Sequence, residues 1–256
     1  MPQPNSDSTQ NTFNISNSPI TNLAGSGSIQ YNEALAKNDT LPETESHKKV
    51  ILFLAAQPIA TAKLRLDEEI RGIDEGLKRS QHRDRFELKQ QWAVRPRDLQ
   101  RAMLDCKPQI VHFSGHGIGR ATDAAQSSEA TRKLIPVDHV ETFEEGLILE
   151  DQTGQAKLVS TEALAALFEL FTDSVECVVL NACYSERQAK AIAQHVPYVI
   201  GMNQAIGDRA AIEFAIGFYD AMGAGESIDR AYKLACVAIQ MAEIPEQLIP
   251  VMKHKT

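Results

Sequence analysis

The sequence has little that would tie it to a membrane, a nucleic acid or an oxidising compartment. No apolar run approaches the ~20 residues that a helix needs to cross a bilayer. The first 28 residues, rich in Asn, Ser, Thr, Gln and Pro, have neither the basic start nor the apolar stretch of a secretory leader. No dense run of Lys or Arg occurs, and 26 basic against 34 acidic side chains give a formal net charge of −8. That balance argues against direct contact with nucleic acid or anionic lipid, because phosphate binding depends on clustered positive charge. The four cysteines, Cys106, Cys177, Cys183 and Cys236, contain no C-x-x-C pair, so neither a zinc nor a redox motif is indicated. Three of them are expected to be small core fillers in a reducing compartment. These absences leave a cytoplasmic protein without cofactor or metal, whose partner or substrate is another protein.

What is present is enough apolar material for a core: hydrophobic residues make up 43% of 256 residues and charged residues 23%. It is unevenly spread. Residues 1–48 carry few apolar side chains, scattered among polar ones, with Gly25-Ser26-Gly27-Ser28 as a flexible insert. Such a segment buries too little surface to offset its ordering entropy and is expected to be a tail or tether. A short stretch over 12–31 that could dock as a strand on a partner is the alternative. Residues 49–256 then read as one domain.

Within that domain, continuous apolar runs at 50–55, 110–113, 175–180 and 198–202 predict strands buried on both faces. A further strand is expected over 86–94. Helical periodicity is clear over 61–79, 96–105, 160–171, 185–195, 207–222 and 228–242. Ser160 is placed to cap the third of these helices, and Ser185 with Gln188 has capping-box spacing for the fourth. Apolar triplets at 147–149 and 157–159 flank Asp151-Gln152-Thr153-Gly154 and predict a hairpin. Residues 117–143 are a long polar stretch without periodicity, expected to be a mobile or functional loop and a place where a proteolytic cut would be tolerated. Strands alternating with helices imply an α/β fold, a mostly parallel central sheet with helices on both faces. Function in such sheets sits at the carboxyl edge of the strands.

Two strands end in side chains capable of chemistry. Residues 110–113 lead into Ser114-Gly115-His116-Gly117, and residues 175–180 lead into Asn181-Ala182-Cys183-Tyr184-Ser185. If the strands are neighbours, imidazole and thiol emerge together. A nearby imidazolium and the start of the following helix would then lower the pKa of Cys183 and favour its thiolate, the nucleophilic form. Glycines on both sides of His116 allow a substrate carbonyl to approach and leave the Gly117 amide free to donate. Taken singly, each residue is more often structural. His112, inside an apolar strand, reads as a packed core residue; a zinc site built on His112, His116 and Cys183 lacks a fourth ligand. Trp92 reads as core or sheet-edge filling, and the acidic run 141–145 as a solvated loop.

The paired segments Val111-His112-Phe113-Ser114-Gly115-His116-Gly117 and Val178-Val179-Leu180-Asn181-Ala182-Cys183 resemble the CHAT domain, a branch of the caspase, separase and gingipain group of cysteine peptidases. The later segments Val199-Ile200-Gly201-Met202, Ala210 to Ala215 and Gly225 to Tyr232 are similar to the same family's C-terminal half, so that the resemblance covers roughly residues 48–252. It implies a caspase-like three-layer sandwich and a Cys/His dyad acting through an acyl-enzyme, with His116 as general base and acid and Cys183 as nucleophile. It implies the amides of Gly117 and Cys183 as oxyanion donors, and no carboxylate as a third member. It also implies a regulated effector in prokaryotic defence or cell-death signalling, with a protein substrate and an activating or regulatory protein partner.

In relatives that cut after basic residues, an acid in the stretch after the strand following the cysteine strand reads the substrate side chain. That stretch here is residues 202–208. Asn203 stands where such relatives often carry an acid, and Asp208 remains, so a basic and a medium-sized apolar preference both stay open, with Asn203 and Asp208 as the candidate substrate contacts. A catalytically silent scaffold recruiting a partner through the N-terminal tail is the alternative to a peptidase, and inhibition in cis by that tail is a further option.

Overall fold

The computed structural model describes residues 48–119 and 145–255. The expected tail, apart from Lys48, and residues 120–143 of the expected loop lie outside the described residues.

Strands and helices alternate as the periodicity requires: β1 (Lys49–Ala55), α1 (Leu66–Arg79), β2 (Phe86–Gln91), α2 (Pro96–Cys106), β3 (Ile110–Ser114), β4 (His116–Ile118), β5 (Gly146–Glu150), β6 (Ala156–Ser160), α3 (Thr161–Glu169), β7 (Cys177–Asn181), α4 (Glu186–Ile192), β8 (Tyr198–Met202), α5 (Asp208–Gly223), α6 (Ile228–Met241) and β9 (Pro250–His254). The central sheet runs β2-β1-β3-β7-β8-β9, and β4-β5-β6 form a second, antiparallel sheet. All pairings in the central sheet are parallel except β8 with β9.

The period-2 alternation of the buried strands sorts two cores. Ile51, Phe53, Ile110, Cys177, Val179, Ile200 and Met202 face α1, α5 and α6. Leu52, Leu54, Val111, Phe113, Val178, Leu180 and Val199 face α2, α3, α4 and β5. Helices on both faces explain why the parallel strands read as continuous apolar runs. On α1, Gly72 and Gly76 allow close approach to α5: a Cβ at either position would lie within 2.4 Å of Ile216 Cδ1 or 2.2 Å of Asp220 Oδ1.

Several boundaries move from their expected places, for local reasons. Helix α1 begins at Leu66 rather than 61 because residues 57–65 fold around the Gln57 side chain. Its Nε2 donates to Thr61 Oγ1 (2.7 Å) and Ala62 O (2.9 Å), and its Oε1 accepts from Leu64 N (2.8 Å). Strand β2 stops at Gln91, followed by Ala93 at a φ of 51°. Ser160 caps α3 through Ala163 N, as expected. Ser185 does not cap α4 with its side chain: its hydroxyl is buried, donates to Leu180 O (2.9 Å) and accepts from Met202 N (2.9 Å), so it staples the ends of β7 and β8. Helix α4 spans only Glu186–Ile192, short of the expected 195. Ser185→Ala strands Met202 N, whereas Leu180 O keeps its bond from Ala182 N (2.9 Å), and is expected to lower the unfolding free energy by about 1–3 kcal/mol, read from the urea midpoint; an unchanged midpoint would refute the staple. Strands β4 and β9 carry no pattern that the sequence reading detected.

Of the other cysteines, only Cys177 is a fully buried filler; Cys106 and Cys236 are partly exposed. Trp92 is 43% exposed, so it lies at the sheet margin and not in the core. No helix among the described residues is long and apolar enough to cross a membrane.

Candidate active site

The chain order reverses beside β1: the connection after β1 leads outward to β2, and β3 returns on the other side of β1. Such a reversal leaves a crevice at the carboxyl ends of the two flanking strands. The segments that follow β1 and β3 meet there. His116 Nε2 lies 2.9 Å from the carbonyl oxygen of Ala62, the same oxygen that accepts from Gln57 Nε2. A carbonyl only accepts, so Nε2 carries the proton and Nδ1 is the basic nitrogen of the neutral ring. The residue that orients the imidazole is thus a backbone carbonyl held by a glutamine amide. A backbone carbonyl leaves no side-chain trace in the sequence.

Strand β7 lies directly against β3, with Ser114 opposite Asn181, and Gly115 N donates to Asn181 O (3.3 Å). The two chain segments stay in contact beyond the ladder. A Cβ at Gly117 would fall 2.3 Å from Cys183 O and 3.4 Å from Ala182 Cβ, so only glycine fits where the His116 segment crosses the Cys183 turn. Tyr184 follows the cysteine at a φ of 56°, a left-handed conformation that a side chain disfavours by roughly 1–3 kcal/mol and that concentrates at functional turns. Its amide donates to Gln204 O (3.1 Å). The structure therefore brings Gly117, the residue after His116, against the backbone of Cys183.

The electrostatics differ from the expectation. Burial pushes the Cys183 thiol above its ordinary value, and the Glu246 carboxylate adds to this, while the backbone at Ile206 and the Cys183 amide oppose it. Burial pushes the His116 imidazole below its ordinary value, against the raising effect of the Ala62 carbonyl. Each group thus rests in its neutral form at neutral pH, as thiol and imidazole and not as an ion pair. The expected thiolate fails because the site is desolvated. The alkylation rate of Cys183 by iodoacetamide is therefore expected to climb with pH up to and beyond the ordinary thiol range; a plateau between about pH 5 and 7 would instead reveal a resting thiolate.

The stretch that carries the two proposed substrate contacts passes beside Cys183, whose Sγ is 3.8 Å from Ile206 O. Asp208 is engaged by Arg65: its Oδ1 accepts from Arg65 N (3.1 Å) and its Oδ2 from Arg65 Nε (2.7 Å). Asn203 Nδ2 donates to Leu248 O (3.2 Å), and its Oδ1 has no hydrogen-bond partner. Sequence reasoning missed Glu246, which accepts from Gly207 N (2.6 Å) and faces the thiol. No motif marks that residue. His112 is buried as expected, but it is bonded to Glu69 and Tyr219 rather than merely packed.

This arrangement defines a class: an α/β sheet protein with a thiol and an oriented imidazole at the carboxyl edge of adjacent parallel strands. The CHAT domain pattern matches residues 57–250, and the chain belongs to the CHAT domain family. It is similar to a "Roc-COR-CHAT protease" from an unknown prokaryotic organism, 24% identical over 82% of this chain and 18% of that protein. It is also similar to a "Probable protease" of Gillisia limnaea, 23% identical over 72% of this chain and 29% of that protein. The chain thus spans less than a third of the length of these relatives. Among solved structures it is similar to a secreted C11 cysteine protease from Bacteroides thetaiotaomicron in complex with an irreversible peptide inhibitor. That match is 12% identical, covers 73% of this chain and 57% of the other, and has a TM-score of 0.47.

Proposed function

We propose that the chain is a cysteine endopeptidase domain acting on a protein substrate through His116 and Cys183. His116 Nδ1 takes the Sγ proton as sulfur attacks the scissile carbonyl carbon, and the amides of Gly117 and Cys183 face the developing oxyanion. The tetrahedral adduct collapses as the imidazolium returns its proton to the leaving amine, which departs and leaves an acyl-enzyme. Water, deprotonated by His116, attacks the thioester; the carboxylic acid leaves and the proton returns to sulfur.

One observation carries this reading: an imidazole fixed by the Ala62 carbonyl adjoins the cysteine turn through Gly117, which has no room for a side chain. The names of both relatives point the same way. A role as a regulated effector in defence or cell-death signalling, answering a protein partner, belongs to the same proposal; its support is the resemblance to the CHAT domain family alone. Turnover of a peptide library tests activity and specificity together. If cleavage follows basic residues, Asp208 must exchange Arg65 for the substrate; cleavage after apolar residues would leave that ion pair in place. A library left intact by the wild-type protein and a covalent peptide probe that ignores Cys183 would together refute the reading.

A further inference from the structure

Helix α1 buries Leu66, Ile70, Ile73 and Leu77, and between them it buries an acid: Glu69 is 2% exposed. A carboxylate away from water needs donors, and this one has three. Its Oε1 accepts from Asn181 Nδ2 (2.8 Å) and from His112 Nε2 (2.8 Å), and its Oε2 accepts from Ser114 Oγ (2.5 Å). The His112 Nδ1 lies 3.2 Å from the Tyr219 hydroxyl, and the ring stacks on Phe53. Asn181 is fixed as well, since its Nδ2 also meets Ala211 O (3.1 Å).

The donors are not scattered. His112 and Ser114 are alternate residues of β3, and Asn181 is the last residue of β7 and the ladder partner of Ser114. From Ser114 the chain reaches His116 in two residues, and from Asn181 it reaches Cys183 in two residues. One carboxylate therefore bonds both strands where each turns toward the reactive group. Packing alone does not require this, because apolar side chains of similar volume commonly replace a buried charged network with no loss of stability. What directional bonds to a single acceptor add is a fixed spacing between the two strand ends.

We propose that Glu69 is a positioning residue: by tethering Ser114 and Asn181 it sets the placement of His116 against Cys183. The inference rests on the dyad reading above and deepens it. Substrate is unnecessary for the test, since His116 as a base assists alkylation of the Cys183 thiol. The rate is read at Cys183 by peptide mass spectrometry at neutral pH in wild type, His116→Ala, Glu69→Gln and the double variant. Ile73→Val, a conservative buried change on the same helix that removes no hydrogen bond, is paired with His116→Ala in the same way and controls for simple destabilisation of α1.

In the wild-type background, His116→Ala is expected to slow alkylation by at least about 10-fold. In the Glu69→Gln background, where the imidazole is already displaced, it is expected to slow it by less than about 2-fold, a coupling that independent sites do not show. Ile73→Val should leave the His116 effect at its full size. An equal His116 effect with and without Glu69 would overturn the positioning role while leaving the dyad standing. No His116 effect in wild type would overturn the dyad itself and this inference with it. If Glu69→Gln fails to fold, Ser114→Ala, which removes one donor, replaces it in the same cycle with the same two readings.

Discussion

Cys183→Ala is expected to lower kcat/KM for peptide cleavage by at least about 10⁴-fold and to end covalent labelling by a thiol-directed peptide probe. The change removes one atom, Sγ, whose contact to Ile206 O is a long 3.8 Å. Little folding energy rests on it, so the unfolding midpoint should stay near that of the wild type while activity disappears. His116→Ala should act in the same direction by about 10²–10⁴-fold, the range for loss of a general acid and base. Because the thiol rests protonated, the sulfur depends on that base more than a preformed thiolate would. Labelling that persists in Cys183→Ala would move the nucleophile elsewhere; cleavage that persists in His116→Ala at neutral pH would remove the base from the mechanism.

Gly117→Ala should impair the site almost as severely without touching either reactive side chain. The added methyl would lie 2.3 Å from Cys183 O, a backbone atom that cannot swing aside as a side chain does. Relief requires the Cys183 turn or the start of β4 to move by about an ångström, a displacement that costs about 10²-fold in rate when it separates reacting groups. Overpacking of this kind also destabilises by about 1–3 kcal/mol, which the smaller unfolded-state entropy of alanine, worth about 0.4–1 kcal/mol, offsets only in part. Turnover measured per folded molecule, with the folded fraction taken from a denaturation curve, separates the two effects. Full activity per folded molecule would show that the contact between Gly117 and the Cys183 carbonyl has no part in the site.

Much of the fold was legible because parallel strands covered on both faces leave continuous apolar runs, and helices facing one core leave a 3.6-residue period. The strands at 50–55, 110–113 and 198–202 appear almost at their expected limits for that reason. Strand β4 escaped because its three residues, His116, Gly117 and Ile118, are too few to show a period. Strand β9 escaped because an edge strand with half-buried residues has no apolar run. Ser185 was misread since a serine before a helix looks the same whether its hydroxyl caps that helix or turns inward to staple two strands.

His116 and Cys183 could be found in the sequence because each follows a recognisable strand. Glu69 left a trace that sequence reading passed over, an acid in phase with Leu66, Ile70 and Ile73 on an apolar stripe. Ala62 and Glu246 left none: the first acts through its backbone, and the charge of the second acts on the thiol from a segment more than sixty positions further along the chain.

By itself, the sequence determined the alternation of strands and helices, the two-sided burial of the central sheet and the attachment of an imidazole and a thiol to the ends of two strands. These are local properties, set by side-chain period and by residue type at a strand end. Only the tertiary structure decided that β3 and β7 are neighbours, that the Ala62 carbonyl bonds His116, and that burial lowers the pKa of His116 and raises that of Cys183. Those outcomes depend on which distant segments exclude water from the site, and desolvation is a property of the assembled fold that no single stretch of chain encodes.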